Sequence, residues 1–247
     1  MGKVEMEPSP FRDGRVQEFR PMTWVKICAT TNLRDAQASV AAGANALGFI
    51  FAPSTRRVEA STAVEIIAAL PAEIEKIGVF VNETPERVAE VASQVGLSGC
   101  QLHGDESAES LPGYRRALGG RKLIKTLQVR ELLAANNSRV LQPYIDAHSI
   151  IDAILLDSGR PGNRGGTGIP FDWEMALPIV QRVKAVLPVI IAGGLTAENV
   201  DQAIRLFEPW GVDVVSGVER ETGKKDEAKV RSFVAAARQV ASAVRTR

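Results

Sequence analysis

Eight short runs rich in β-branched residues, each followed by a longer Ala-rich amphipathic stretch, limit what this chain can fold into more than any other feature. Parallel strands need a crossover long enough to hold a helix, so strict alternation of this kind predicts a parallel sheet covered by helices. The runs are residues 25–28, 46–51, 76–81, 99–103, 122–127, 153–157, 188–192 and 212–216. Helical spacing falls on 33–42, 61–69, 85–95, 107–118, 171–186, 197–207 and 227–244, with start signals at Asn32, at Thr84 before Pro85, and at Thr196 ahead of Glu198. The fifth crossover, 130–148, is interrupted by Asn136, Asn137 and Pro143 and is expected to hold only a short or irregular helix.

Length decides between the two common ways of arranging such units. A chain of 247 residues, 45% hydrophobic, sits at the upper end of a single domain with one core. Eight units over residues 23–247 fit a closed (β/α)8 TIM barrel better than an open doubly wound sheet. No G-x-G-x-x-G follows the first run, which removes the usual dinucleotide site of the open sheet. Residues 1–22 mix Pro8, Pro10 and Pro21 with Arg12, Asp13, Arg15, Glu18 and Arg20; they read as a poorly ordered extension and not as a signal peptide.

Charge and cysteine usage exclude further classes. Thirty basic residues against 29 acidic ones, a formal net of +1, give no reason to expect a nucleic acid partner. No apolar run approaches the roughly 20 residues of a membrane span. Two cysteines, Cys28 and Cys100, and two histidines, His103 and His148, make no disulfide framework and few metal ligands, so neither metal nor cofactor is expected and a reducing cytoplasm is the natural setting.

Strand parity assigns faces. With Val25 and Ile27 outward, Lys26 and Cys28 point into the barrel, Cys28 at the carboxyl end where barrel enzymes place reactive groups. The same rule sends Gln101, His103, Asp157 and Asp213 inward, and Cys100 outward to the helices. The residues alone leave alternatives open: a free Cys is commonly an apolar filler, an Asp at a strand end commonly caps the next turn, and a lone His is commonly a hydrogen-bonded wall residue. His148, in the irregular fifth unit, receives no role.

Gly193-Gly194 after the seventh run and Ser216-Gly217 after the eighth point to a phosphate site, because bare backbone lets N–H groups approach an anion and these two loops form the recurrent phosphate site of the fold. Tight turns are the competing explanation for the glycines. The Gly165-Gly166-Thr167-Gly168 run, flanked by Arg160 and Arg164, reads as a loop able to close over a ligand.

Taken in order, Val25-Lys26-Ile27-Cys28, Gly48-Phe49-Ile50-Phe51 with Ser54-Thr55-Arg56-Arg57, Gly78-Val79-Phe80-Val81-Asn82, Gln101-Leu102-His103-Gly104, Leu155-Leu156-Asp157, Gly166-Thr167-Gly168, Ala192-Gly193-Gly194-Leu195 with Glu198-Asn199-Val200, and Ser216-Gly217-Val218-Glu219 with Gly223-Lys224-Lys225-Asp226 resemble the phosphoribosylanthranilate isomerases of tryptophan biosynthesis. The resemblance implies a cofactor-free Amadori rearrangement of N-(5-phosphoribosyl)anthranilate to 1-(2-carboxyphenylamino)-1-deoxyribulose 5-phosphate, by a soluble monomer or homodimer acting on a small phosphosugar. It also implies that Cys28 is the general base, Asp157 the general acid and Arg57 the partner of the anthranilate carboxylate. Gln101, His103 and Asp213, inward by parity, are expected to bind the substrate. The chain departs from the family at Ala29, where the family has glycine; the added methyl is expected to tighten the floor beside Cys28 or alter its backbone angles.

The chemistry asks for the same residue types. Opening a ribosylamine ring needs an acid at the ring oxygen, and moving the carbonyl needs a base at C2. A thiol serves as base when nearby positive charge lowers its pKa, and Lys26, on the same face, is expected to do so; Asp157 needs the raised pKa that burial favours. The rival readings are less well matched: a histidine-pathway isomerase of the same reaction type pairs two aspartates in a twofold-repeated sequence, and a metal-dependent epimerase needs more histidines. A non-catalytic phosphosugar-binding barrel is separated from an enzyme by turnover alone.

Overall fold

In the computed structural model, which describes residues 23–134, 137–158 and 172–243, eight parallel strands close into a barrel in chain order. The strands are β1 (Trp24–Ile27), β2 (Ala46–Ile50), β3 (Glu75–Phe80), β4 (Gly99–Leu102), β5 (Lys122–Gln128), β6 (Ala153–Asp157), β7 (Val189–Ile191) and β8 (Gly211–Val214). Closure is made by β1 against β8, in a register that sets Lys26 beside Asp213. The helices are α1 (Leu33–Ala41), α2 (Ala60–Ala68), α3 (Pro85–Val95), α4 (Leu111–Leu118), α5 (Val129–Ala134), α6 (Asn137–Asp146), α7 (Trp173–Lys184), α8 (Val200–Phe207) and α9 (Glu227–Ala243). A small antiparallel pair, β9 (Glu219–Glu221) and β10 (Lys224–Lys225), follows β8.

Two apolar layers hold this arrangement. Trp24, Ala46, Ile77, Ile124, Ala153, Leu155, Ile190 and Ala192 fill the barrel interior, while Val25, Ile27, Cys100, Leu102, Ile154, Leu156, Val212 and Val214 pack outward among the helices. Both faces of each strand are therefore buried, which is why the strands read as continuous apolar runs. At the amino-terminal end Trp24 stacks on Trp210 with centroids 4.8 Å apart, and the Lys122 ammonium lies over both rings at 5.4 and 5.0 Å.

Helix starts follow local chemistry. The Asn32 side chain accepts the Asp35 N–H at 2.9 Å and Thr84 accepts the Arg87 N–H at 3.2 Å, each a cap of about 1 kcal/mol. Gly96 ends α3 in the left-handed region, φ +75°. One start differs from expectation: Thr196 accepts the Glu198 N–H in a local turn, and α8 begins only at Val200, because Asn199 accepts the Thr196 N–H at 2.8 Å and donates to the Gly194 carbonyl at 2.9 Å, so residues 196–199 serve the loop. The eighth strand ends at Val214, two residues short of the expected 216, because Ser216 opens a 3-10 turn. The interrupted fifth crossover is two short helices, α5 and α6, with Pro143 inside the second. The expected extension 1–22, the 165–168 loop with Arg160 and Arg164, and the start of the seventh helix at Phe171 lie outside the described residues.

Candidate active site

The carboxyl ends of the strands bring the expected residues to one mouth. Cys28 lies one residue past β1, its N–H donating to the Val214 carbonyl at 2.9 Å, and its thiol is buried inside the barrel. Room for that thiol exists because β2 carries glycine beside it: a Cβ at Gly48 would stand 2.5 Å from the Cys28 Sγ. Ala29, next in the chain, keeps the left-handed backbone that glycine favours, φ +62°. The departure therefore leaves the turn in place and stores strain in it, about 1 kcal/mol for a residue with a Cβ.

Beneath the thiol sits a buried ion pair. Lys26 donates from Nζ to Asp213 Oδ1 at 2.8 Å, with both side chains almost wholly enclosed. Burial opposes the Lys26 charge, but Asp213 and then Cys28 outweigh it and the ammonium is held above its usual range. The expectation that Lys26 brings the thiol down is only half met. Burial pushes the Cys28 thiol up; Lys26 pulls it down, Asp213 pushes it up again, Lys225 pulls it down, and the net direction is upward. Burial is the larger effect, and Asp213 offsets part of what Lys26 contributes.

Asp157 ends β6 on the inward face, buried, with the Ser158 hydroxyl 3.5 Å from its Oδ1. In the β5–β6 register its neighbour is Gln128. On β4, Gln101 is enclosed, donating through Nε2 to Thr126 Oγ1 at 3.1 Å and lying 2.9 Å from His103 Nδ1. The Gln101 side-chain oxygen is buried without a hydrogen-bond partner among the described residues. Asp213 is deeper than a rim residue and is engaged by Lys26, while His103 is only partly covered. Cys100 faces the helices, and burial pushes its thiol up to about 12, so strand parity separates the two cysteines by environment.

The two small-residue loops meet. Gly193 and Gly194 both have positive φ, +85° and +69°. A Cβ at Gly193 would collide with Ser158, after β6, and one at Gly217 would collide with the Leu195 carbonyl, after β7. The loops after β6, β7 and β8 are thus in backbone contact, a spacing that only glycine permits. Beside them starts α8, whose Asn199 ties the Gly194 carbonyl.

Arg57 stands at the rim, half exposed, 3.4 Å from Glu59. Its neighbour Arg56, given no role from the sequence, turns inward and forms a forked pair with Glu219, at 2.9 and 3.1 Å from Nε and 2.7 Å from Nη2. Glu219 also accepts the Gly223 N–H at 3.2 Å and lies 3.5 Å from the buried Lys225 ammonium. A second network sequence reading missed is Lys125, on β5, bonded to Glu106 at 2.7 Å and to the Gly104 carbonyl at 2.8 Å, with Glu106 accepting the Asn82 N–H at 2.8 Å. Arg56, Glu219 and Lys225 lie within the motifs quoted above, but nothing in their spacing pairs residues 163 positions apart. Among the described residues no cluster of three or more His, Cys, Asp or Glu is arranged to hold a metal ion.

Comparison with known proteins agrees with this geometry. The family model described as N-(5'-phosphoribosyl)anthranilate (PRA) isomerase matches residues 25–236. A protein of Rubrobacter xylanophilus named N-(5'-phosphoribosyl)anthranilate isomerase is 44% identical over 218 residues, which is 88% of this chain and 100% of that one. A crystal structure of phosphoribosyl anthranilate isomerase in complex with reduced 1-(o-carboxyphenylamino)-1-deoxyribulose 5-phosphate superposes with a TM-score of 0.72 at 37% identity, covering 88% of this chain and 100% of that chain. A structure of monomers of the dimeric enzyme from Thermotoga maritima gives 0.71 at 36% identity over the same shares. The barrel, the buried cysteine at the end of its first strand and a family match across 25–236 lead to one conclusion: the chain belongs to the N-(5'-phosphoribosyl)anthranilate isomerase family.

Proposed function

We infer that the chain isomerises N-(5'-phosphoribosyl)anthranilate to the 1-deoxyribulose 5-phosphate product in tryptophan biosynthesis, with Cys28 as base and Asp157 as acid. The observation that carries the reading is the pairing of one buried thiol and one buried carboxylate at the same barrel mouth, beside a loop cluster whose backbone is bare at Gly193, Gly194 and Gly217. Asp157 protonates the furanose ring oxygen, the C1–O bond breaks and an iminium forms with the anthranilate nitrogen. Cys28, as thiolate, takes the proton from C2, and the resulting enolamine tautomerises to the ketone. No net oxidation occurs and no cofactor enters the balance.

The substrate carries an anion at each end. Arg57, half exposed and with its guanidinium in a long contact to Glu59, is available to fork onto the ring carboxylate. Gly193, Gly194, Ser216 and Gly217 take the phosphate through backbone N–H groups. His103 meets the sugar hydroxyls, with Gln101 behind it and Asp213 acting through Lys26. Two free, buried cysteines fit a cytoplasmic setting, and no helix among the described residues is long and apolar enough to cross a membrane. Monomer and homodimer both accommodate a site contained in one barrel.

Fluorescence of N-(5'-phosphoribosyl)anthranilate, generated in place, tests the reading. Loss of signal on adding the protein, with product mass unchanged from substrate, supports isomerisation; binding without turnover leaves a phosphosugar-binding barrel.

A further inference from the structure

Gln101 and His103 meet side chain to side chain on the inner wall of the barrel. Gln101, on β4, and Thr126, on β5, are almost wholly enclosed, and both reach the same ring nitrogen. Gln101 Nε2 lies 2.9 Å from His103 Nδ1 and donates to Thr126 Oγ1 at 3.1 Å, while Thr126 Oγ1 stands 3.4 Å from that Nδ1. The nitrogen of the amide is the end that faces the ring; Oε1 is the end buried without a hydrogen-bond partner among the described residues. A side-chain NH2 has two hydrogens to give and accepts none. One goes to Thr126, so the other meets Nδ1, and Nδ1 is the acceptor.

The main chain on both sides of His103 is fixed as well. Its own N–H donates to the Phe80 carbonyl at 2.8 Å. The next residue, Gly104, donates its N–H to Glu106 Oε2 at 3.0 Å, and its carbonyl accepts from the Lys125 ammonium at 2.8 Å. Lys125 and Glu106 close this frame as a buried pair at 2.7 Å, and Glu106 also takes the Asn82 N–H from the loop after β3. The acid and base steps use none of these groups. They hold the segment that carries the imidazole, and Gln101 with Thr126 addresses the ring itself.

We propose that Gln101 is a positioning residue that holds His103 in the neutral form protonated on Nε2, so that the imidazole meets the sugar as a hydrogen-bond donor and leaves the C2 proton to Cys28. The proposal rests on the reading that His103 meets the sugar hydroxyls and that Cys28 is the base. Its physical content is a division of labour. An unperturbed imidazole titrates near neutral pH and is the side chain that most often serves as a general base there. Its basic lone pair sits on whichever nitrogen lacks the proton. With Nδ1 turned to the Gln101 amide, that lone pair is covered by an N–H, and the proton on Nε2 leaves that nitrogen able only to donate.

The test is nitrogen NMR of the full enzyme labelled with 15N-histidine, at about pH 8, where an unperturbed imidazole is neutral. The chain has two histidines, His103 and His148, so His148→Gln assigns the signals. In the wild type His103 Nδ1 should show the shift of an unprotonated, pyridine-type nitrogen and Nε2 that of a protonated, pyrrole-type one; a protonated Nδ1 overturns the proposal. Gln101→Met removes the donor, and the two shifts should move toward each other as both neutral forms become populated. Unmoved shifts in folded Gln101→Met also overturn it. If the Met variant does not fold, Gln101→Glu takes its place: an ionised carboxylate only accepts, so Nδ1 should gain the proton, and an Nδ1 that stays unprotonated counts against the proposal. Activity supplies a readout that general loosening of the wall would not give. Gln101→Met should lower kcat/KM about three- to tenfold, and that loss should vanish in a His103→Asn background; an equal loss in both backgrounds shows that Gln101 does not act through His103. Failure of the isomerase reading is seen separately, as absent turnover of N-(5'-phosphoribosyl)anthranilate by the wild type, because the nitrogen shifts are read without substrate.

Discussion

Gly48 and Cys28 are matched across the β1–β2 pair so closely that a methyl group on Gly48 would sit 2.5 Å from the thiol sulfur and 3.1 Å from the Cys28 Cα. The reactive group has its place because the neighbouring strand gives up a side chain. Gly48→Ala should therefore displace the thiol or part the strands, at a cost of about 1–3 kcal/mol in stability. Turnover should drop by tenfold or more beyond what the fold loses, measured as kcat at a temperature well below the variant's Tm; full kcat would show that the thiol position is not critical.

The two cysteines should separate cleanly. Cys28→Ser replaces a titratable thiol with a hydroxyl too weakly acidic to act near neutral pH, and kcat should fall about 10²- to 10⁴-fold with substrate binding nearly intact. Cys100, facing the helices with its thiol at about 12, should tolerate Ala with kcat unchanged and roughly 1–2 kcal/mol of stability lost to the small cavity. Steady-state kinetics and chemical unfolding on both variants decide the point.

The anion ends should also come apart. Arg57→Ala removes a charge-assisted contact worth roughly 1.5–3 kcal/mol, about tenfold to somewhat over a hundredfold in kcat/KM, and should leave inorganic phosphate affinity as it was. Gly194→Val, forced into φ +69°, should do the reverse. Calorimetry of phosphate binding to each variant is the check, and loss of phosphate affinity in the arginine variant alone would exchange the two ends.

Ala29 offers a test of stored strain. With φ +62° it occupies a conformation that costs a Cβ-bearing residue about 1 kcal/mol, so Ala29→Gly should be neutral to stabilising by up to about that amount, despite the larger unfolded-state entropy of glycine. A Tm that falls on this substitution would place the alanine methyl in a favourable contact.

Glu219 ties stability to acid. Burial alone pushes its carboxyl up, but the Arg56 fork and Lys225 outweigh burial and hold it below its usual value. A depressed carboxyl contributes stability that is fully present above the unfolded value of about 4.5 and is lost as pH falls through the lower folded value. Wild type should thus lose stability on acidification below about pH 5 more steeply than Glu219→Gln, which has no proton to bind there but starts lower at neutral pH, by roughly 3 kcal/mol at most, because Arg56 is left with a weaker partner. Urea unfolding across that range measures both slopes.

Periodicity in the sequence determined the barrel and the face of each strand residue, because side-chain alternation is a local property of extended chain: Cys28, Gln101, Asp157 and Asp213 inward, Cys100 outward, all as parity requires. Turn chemistry was legible for the same reason at Asn32 and Thr84, and failed at Thr196, where Asn199 spends its side chain on the loop instead of a helix start. What the sequence did not contain is the partner of each buried charge. Arg56 with Glu219 and Lys26 with Asp213 are 163 and 187 residues apart, joined only because β8 returns to close the barrel against β1. How far Lys26 lowers the Cys28 thiol, against the burial that pushes it up, depends on that closure, since Asp213 offsets part of the ammonium charge that strand parity alone left uncompensated. Local spacing sets which way a side chain points; only ring closure sets what electric field it meets there.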